Sequence, residues 1–170
     1  MFEHLAQYNL ILVTGPQRSG TTIAARMIAA DTKHDYIDER DFEATGRAVW
    51  LDICARAHNA VIQCPGMARY VHEVGARPDV CVVYMLRDVG EIVASQKRID
   101  WSHEPYEMSQ YDSDWHRATI AETKAAYWMG HQRKLCAHPL EVAYGTMSAH
   151  PLWVPAKKRR TFRDRQWKVA

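Results

Sequence analysis

The chain has 170 residues, 47% of them apolar and 25% charged, with 22 Lys and Arg against 20 Asp and Glu for a net charge of +2. That size suits one domain with a core of its own, and the apolar share excludes a chain disordered throughout. The small positive excess gives no reason to expect nucleic acid or a membrane from bulk charge alone.

In chain order, Asn9–Thr14 (NLILVT) is a short apolar run and predicts a buried strand, ended by the turn signal Gly15-Pro16. Thr21–Ala30 predicts a helix with Ile23, Met27 and Ile28 on one side. Tyr36-Ile37 predicts a short strand and Glu43–His58 a helix. Ala60–Cys64 (AVIQC) predicts a second buried strand, stopped by Pro65-Gly66, and Met67–Val74 a short helix. Val80–Leu86 (VCVVYML) is β-branched and unbroken, the strongest strand signal in the chain.

Asp88, three residues before Glu91, forms a variant of the capping box and opens a helix with Val89, Ile92 and Val93 as its apolar stripe. Asp100–Asp114 has no period and predicts a long loop, with Trp101, Tyr106, Tyr111 and Trp115 in or beside it as lid or anchor residues. Asp114 can cap a long helix reaching about Leu135, and Leu140–Tyr144 (LEVAY) predicts a last strand. Beyond it the chain becomes irregular and then basic: Lys157 to Lys168 holds seven basic residues and one acid. The expected organisation is one domain over residues 1–155 and a basic tail over 156–170.

Continuous apolar strands separated by helices predict an α/β fold, a three-layer sandwich with a central parallel sheet covered on both faces. Ligands of such sheets bind beyond the carboxyl ends of the strands. The four cysteines (54, 64, 81, 136) contain no CxxC pair and fit no zinc spacing, so a reducing, cytoplasmic setting without disulfides is expected. The opening MFEHLAQYNLILV lacks the basic and long apolar stretches of a signal peptide, and no apolar run is long enough to span a membrane.

Two features follow strands and carry chemistry. Gly15-Pro-Gln-Arg-Ser-Gly-Thr-Thr22 lies between a strand and a helix, with two glycines separated by four residues, as in a P-loop. Backbone N–H groups at such a helix start favour a phosphate or sulfate. The P-loop lysine is replaced by Thr21, and the nearest cation is Arg18. The second feature is Arg87 at the end of the strongest strand, with Ser95 eight positions on; an Arg there can hold a phosphate through two parallel bonds, or pair with a nearby acid.

Together these motifs resemble the PAPS-dependent sulfotransferase family. GPQRSGTT resembles its 5′-phosphosulfate loop, and Leu86-Arg-Asp-Val-Gly-Glu-Ile-Val-Ala-Ser95 its 3′-phosphate motif. Tyr36-Ile-Asp-Glu39-Arg and Val142-Ala-Tyr144-Gly-Thr-Met, followed by Pro151, resemble two further stretches in order. The resemblance implies a P-loop-containing sulfotransferase-like fold. It implies sulfuryl transfer from PAPS, leaving PAP, to a hydroxyl or amine of an unidentified acceptor, without a metal. Gly15, Arg18, Ser19, Gly20, Thr21 and Thr22 would hold the 5′ phosphosulfate, and Arg87 and Ser95 the 3′ phosphate. Arg18 would be the catalytic cation, offsetting charge on the leaving phosphate. Glu39 would be the general base, with Asp38 or a histidine as the alternative. Gln63-Cys64-Pro65 stands where many members carry a catalytic histidine. A membrane or nucleic-acid partner is not expected.

Two other functions stay open at this level. A small P-loop kinase would need a lysine in the loop, which Thr21 removes, and an Asp ending a strand to organise Mg²⁺, for which Asp38 is the candidate. A non-catalytic module would hold a nucleotide, or a nucleic acid through the basic tail. His34, His72 and His103 are candidate site histidines, each also readable as an ordinary surface residue.

Overall fold

The computed structural model describes residues 1–42, 46–98 and 139–154, with residues 122, 123, 126 and 130 in addition. The apolar runs become five strands: β1 (Leu10–Thr14), β2 (Asp35–Ile37), β3 (Ala60–Gln63), β4 (Val80–Leu86) and β5 (Leu140–Ala143). They form one sheet in the order β2-β3-β1-β4-β5, and every pairing is parallel. The strand that feeds the glycine loop is therefore central: Val13 sits opposite Gln63 of β3 on one side and Val83 of β4 on the other.

Among the described residues, helices α1 (Thr21–Thr32), α2 (Arg47–Arg56), α3 (His72–Gly75) and α4 (Val89–Arg98) accompany the sheet. Alternation along the strands divides the core in two, as successive side chains must point to opposite faces. Ile11, Val13, Val61, Val83 and Met85 pack with Ala24, Ala25, Met27 and Ile28 of α1. Leu10, Leu12, Ile62 and Val82 pack on the other face with Trp50 and Cys54 of α2 and Val71 and Val74. Both faces are covered, which is the α/β sandwich expected from unbroken apolar strands. Trp50 is 1% exposed and anchors the second cluster; truncation of such a residue costs about 3–5 kcal/mol.

Local chemistry sets the boundaries. The expected helix Glu43–His58 contracts to α2, because Gly46 precedes it at φ 136° and Ala57 is extended at φ −71°, ψ 131°. The expected helix Met67–Val74 is a 3₁₀ segment, Pro65–Tyr70, followed by the single turn α3. At α4 the Asp88 carboxylate accepts from the Glu91 N–H at 2.9 Å, the cap read from the sequence. After β5 the chain forms a 3₁₀ segment, Tyr144–Ala149.

Cys54, Cys64 and Cys81 are buried and carry reduced thiols. Burial pushes the Cys54 thiol up to about 12 and that of Cys64 well above its usual range. None of the described helices is long and apolar enough to cross a membrane. The predicted loop Asp100–Asp114, its aromatics, Cys136, most of the predicted helix beyond Asp114 and the basic tail lie outside the described residues; Glu122, Thr123, Ala126 and Gly130 are helical.

Candidate functional site

β1 runs into the loop at Gly15, and α1 leaves it at Thr21. Gly15 at φ 141°, Arg18 at φ 71° and Gly20 at φ 105° wind the backbone through the left-handed region three times. Gly15 is required on two counts, since a Cβ there would lie 3.0 Å from both the Met85 carbonyl oxygen and Ser19 Oγ. Arg18 has no such exemption, and its left-handed backbone is a strained choice. Ser19 N–H closes a turn on the Pro16 carbonyl at 3.0 Å.

Gly20 is the residue before the first turn of α1, and no side chain caps that turn. The first N–H groups of the helix therefore lack a side-chain acceptor, and they carry the positive end of its dipole. Ser19 is fully buried within the loop, and its Oγ finds no hydrogen-bond partner among the described residues. A buried hydroxyl left unpaired costs about 1–3 kcal/mol. A phosphate oxygen in the cradle would relieve it.

One wall of the loop is cationic and aromatic. Arg87, one residue beyond β4, donates from Nη1 to the Arg18 carbonyl at 2.9 Å and from Nε to Glu91 at 2.8 Å. Its guanidinium lies 3.9 Å from the Tyr144 ring centroid, a stacked cation–π contact. Tyr144 meets Trp153 edge-on, with centroids 5.0 Å apart. Ser95 is 2% exposed, and its Oγ accepts from Arg18 Nε at 3.1 Å and Arg98 Nη2 at 3.2 Å. Arg18, Arg87 and Ser95 are thus brought together from loop, strand end and helix. Arg98 belongs to the same cluster; its spacing of three from Ser95 on α4 was the available signal.

The other wall is acidic. Glu39 opens a 3₁₀ segment just beyond β2, and its Oε2 accepts from the Gly66 N–H at 2.9 Å. Burial raises its pKa above the ordinary carboxylate range, and neighbouring Asp38 adds to that, while the Gly66 N–H, Arg40 and the Gln63 side chain pull the other way. Asp38 is more heavily engaged: it accepts from Tyr36 Oη at 2.7 Å and the Arg40 N–H at 3.2 Å. Gln63 at the end of β3 donates from Nε2 to Thr21 Oγ1 at 3.3 Å, tying that strand end to the start of α1. In the sequence Gln63 is marked only by standing where the resemblance would place a catalytic histidine. Thr22 stands half-buried on the first turn of α1.

His34 spans the Tyr8 and Thr32 carbonyls, and His72 belongs to α3. His103 lies outside the described residues. Among the described residues, no group of three or more His, Cys, Asp or Glu is placed to hold a metal ion.

No family model and no curated protein sequence matches the chain. Solved structures do match. A shikimate kinase from Acinetobacter baumannii, in complex with shikimate, aligns over 84% of this chain and 87% of its own, with a TM-score of 0.54 and 18% identity. The YorR protein of Bacillus subtilis, in complex with phosphorylated GDP, aligns over 80% of this chain and 86% of its own, with a TM-score of 0.50 and 14% identity. At these identities the likeness establishes the fold, a P-loop-containing α/β sandwich.

These matches correct the expectation of a PAPS-dependent sulfotransferase. The two similar structures above are a kinase and a protein holding a phosphorylated guanine nucleotide, and neither is a sulfotransferase. The physical reason is that the GPQRSGTT loop is a general anion cradle. Its N–H groups and hydroxyls do not tell a sulfuryl donor from a phosphoryl donor, and that distinction had rested on the spelling of the motifs.

Proposed function

We propose that the chain is a nucleotide-dependent phosphotransferase of the small P-loop kinase type. The observation that carries this reading is the buried, unpartnered Ser19 Oγ inside a left-handed loop at an uncapped helix start. That arrangement fits a phosphate chain, and the similar solved structures include a kinase and a complex with a phosphorylated nucleotide. Gly15, Ser19, Gly20 and Thr21 form the cradle.

Each end of the displacement has its residue. The acceptor hydroxyl forms a bond to the terminal phosphorus as the bridging P–O bond breaks. Glu39 takes the acceptor proton, for which a carboxylate of raised pKa on the far wall is suited. Arg18, in the loop, takes over from the absent lysine and offsets the charge that grows on the leaving phosphate. Arg87 holds the Arg18 carbonyl and so fixes the strained loop turn. Magnesium arriving with a nucleotide rests mostly on phosphate and water oxygens. Thr22 and Asp38 are the residues that would complete its shell, and it would neutralise phosphate charge.

The test is calorimetric titration with MgATP and MgGTP, followed by ³¹P NMR of the nucleotide with a panel of hydroxyl acceptors. Micromolar binding of one triphosphate and transfer of its terminal phosphoryl group is the expected result. Failure of both triphosphates to bind would overturn the reading.

A further inference from the structure

The segment after β5 meets α1 at both ends of the helix. α1 has 12 residues, a rise of about 18 Å. The 3₁₀ segment Tyr144–Ala149 has 6 residues and rises about 12 Å, which reaches most of the way along the helix. Met147 in that segment is fully buried and packs in the same cluster as Ala24, Ala25, Met27 and Ile28 of α1. At the loop end, a Cβ on Gly20 would lie 2.6 Å from Tyr144 Cδ2 and 3.6 Å from Met147 Cε. The same Tyr144 ring stacks on the Arg87 guanidinium, which holds the Arg18 carbonyl. One ring therefore bears on the loop twice, directly at Gly20 and through Arg87 at Arg18, and both of those residues have left-handed backbone.

At the far end, His150 is 6% exposed and meets Asp31, the last residue but one of α1. The Leu152 N–H donates to His150 Nδ1 at 3.1 Å, so it is Nε2 that carries a proton and donates to the Asp31 carboxylate at 3.1 Å. The His150 carbonyl accepts from the Trp153 N–H at 2.8 Å, and the Trp153 ring meets Tyr144 edge-on. A continuous set of contacts thus runs from Asp31 through His150 and Trp153 to Tyr144, and from there to the loop at the other end of the helix.

We propose that residues 144–153 form a strap that sets the shape of the phosphate loop, with Tyr144 as its positioning residue at the loop and His150 as the one that holds it from the far end of α1. Neither belongs to the cradle; both act through the loop. This rests on the phosphotransferase reading for what the loop binds and goes beyond it, by naming what holds the loop ready. The left-handed backbone of Arg18, at φ 71°, is unfavourable for an L residue and persists only where its surroundings enforce it. The strap supplies that enforcement. With the strap loosened, a phosphate chain must reorder the loop before being held, and its affinity falls by the fraction of loop that is out of shape.

The experiment uses the whole chain and two readouts: calorimetric titration with MgATP and MgGTP, and ¹H–¹⁵N NMR of the Arg18 and Gly20 amides without ligand. Tyr144→Leu removes the ring from the loop. His150→Phe keeps a ring against Phe2, whose centroid lies 6.5 Å from that of His150, and removes both hydrogen bonds. Val74→Ala, in the other core cluster, controls for plain loss of stability. Tyr144→Leu is expected to weaken triphosphate binding on the order of tenfold, the loss of one partly desolvated cation–π contact. His150→Phe is expected to weaken it about threefold and to displace the Arg18 and Gly20 signals from the other end of the helix. The double variant should bind no more weakly than Tyr144→Leu alone, since His150 acts through Tyr144. Val74→Ala should move neither readout. Native loop signals in His150→Phe, simple additivity of the two changes, or the same displacement in Val74→Ala overturns the proposal. Should His150→Phe fail to fold, Asp31→Asn takes its place under the same criteria. If neither triphosphate binds the native chain, the phosphotransferase reading falls, and the ligand-free Arg18 and Gly20 signals decide separately whether the strap sets the loop.

Discussion

The ring of Tyr144 lies so close over Gly20 that a Cβ on Gly20 would stand 2.6 Å from Tyr144 Cδ2. The residue that ends the phosphate loop and the first residue beyond β5 are thus shaped to each other across the sheet end. Gly20 also sits at φ 105°, where L side chains are strained. Gly20→Ala is therefore expected to lose more than about 1 kcal/mol of stability in urea unfolding. Adding Tyr144→Ala should recover the part due to the clash and leave the part due to φ. Full additivity of the two single changes would show that they do not share this contact.

Ser19→Ala separates stability from ligand binding. Removing a buried hydroxyl without a partner should leave the unliganded chain at least as stable, with a gain of up to about 1–3 kcal/mol. Triphosphate affinity should fall at the same time. Thermal unfolding and calorimetry on one preparation check both. A variant that is less stable and binds as before would mean that Ser19 Oγ has a structural role.

Glu39 gives a pH signature with a definite sign. Its pKa in the folded chain is raised above 4.5, chiefly by burial. The folded state thus holds the proton more tightly than the unfolded one, and stability falls as pH rises from about the unfolded value through the folded one. Glu39→Gln should be more stable than the native chain at neutral pH and show no such gain below the unfolded value. It should also lose turnover while keeping nucleotide affinity. Urea midpoints across pH, with kcat for the same variant, check this.

Asp31 behaves in the opposite way on the far side of the molecule. Burial opposes its ionisation, but the Phe2 N–H at 2.8 Å, the terminal ammonium at 3.0 Å and His150 Nε2 at 3.1 Å outweigh it and push the carboxyl down to about 2. Its stabilisation is complete above the unfolded value of 3.8 and is lost as pH falls toward 2. Asp31→Asn should cost about 1–2 kcal/mol at pH 7, and the difference from the native chain should vanish near pH 2. Because this contact joins α1 to the segment after β5, amide exchange of residues 144–150 should quicken in the variant.

The strands were legible because burial on both faces demands unbroken apolar runs. Val80–Leu86 forms β4 with the same limits as in the sequence reading. The loop was legible because its glycines meet a steric demand, at Gly15 against the Met85 carbonyl and at Gly20 against Tyr144. Less legible were helix boundaries: Gly46 delays the start of α2, and Pro65 opens a 3₁₀ segment where an α-helix from Met67 was expected. The contact of Gln63 with Thr21 was not legible, because the fold brings together residues 42 positions apart.

The sequence by itself determined the parallel α/β class, the glycine-bearing turn between β1 and α1, and the cap of α4. These follow from local rules: the period of apolar residues, the freedom of glycine and the reach of a short acid side chain. Tertiary structure alone decided the rest. It set Arg87 on the Arg18 carbonyl, Tyr144 on Gly20, and the Gln63 amide on Thr21. The likeness of the whole fold to solved structures overturned the sulfuryl transfer that the loop motifs had implied. The physical reason is that a loop motif encodes affinity for an anion through its own backbone. Which groups face that anion is set by strand order and by contacts between residues far apart in the chain.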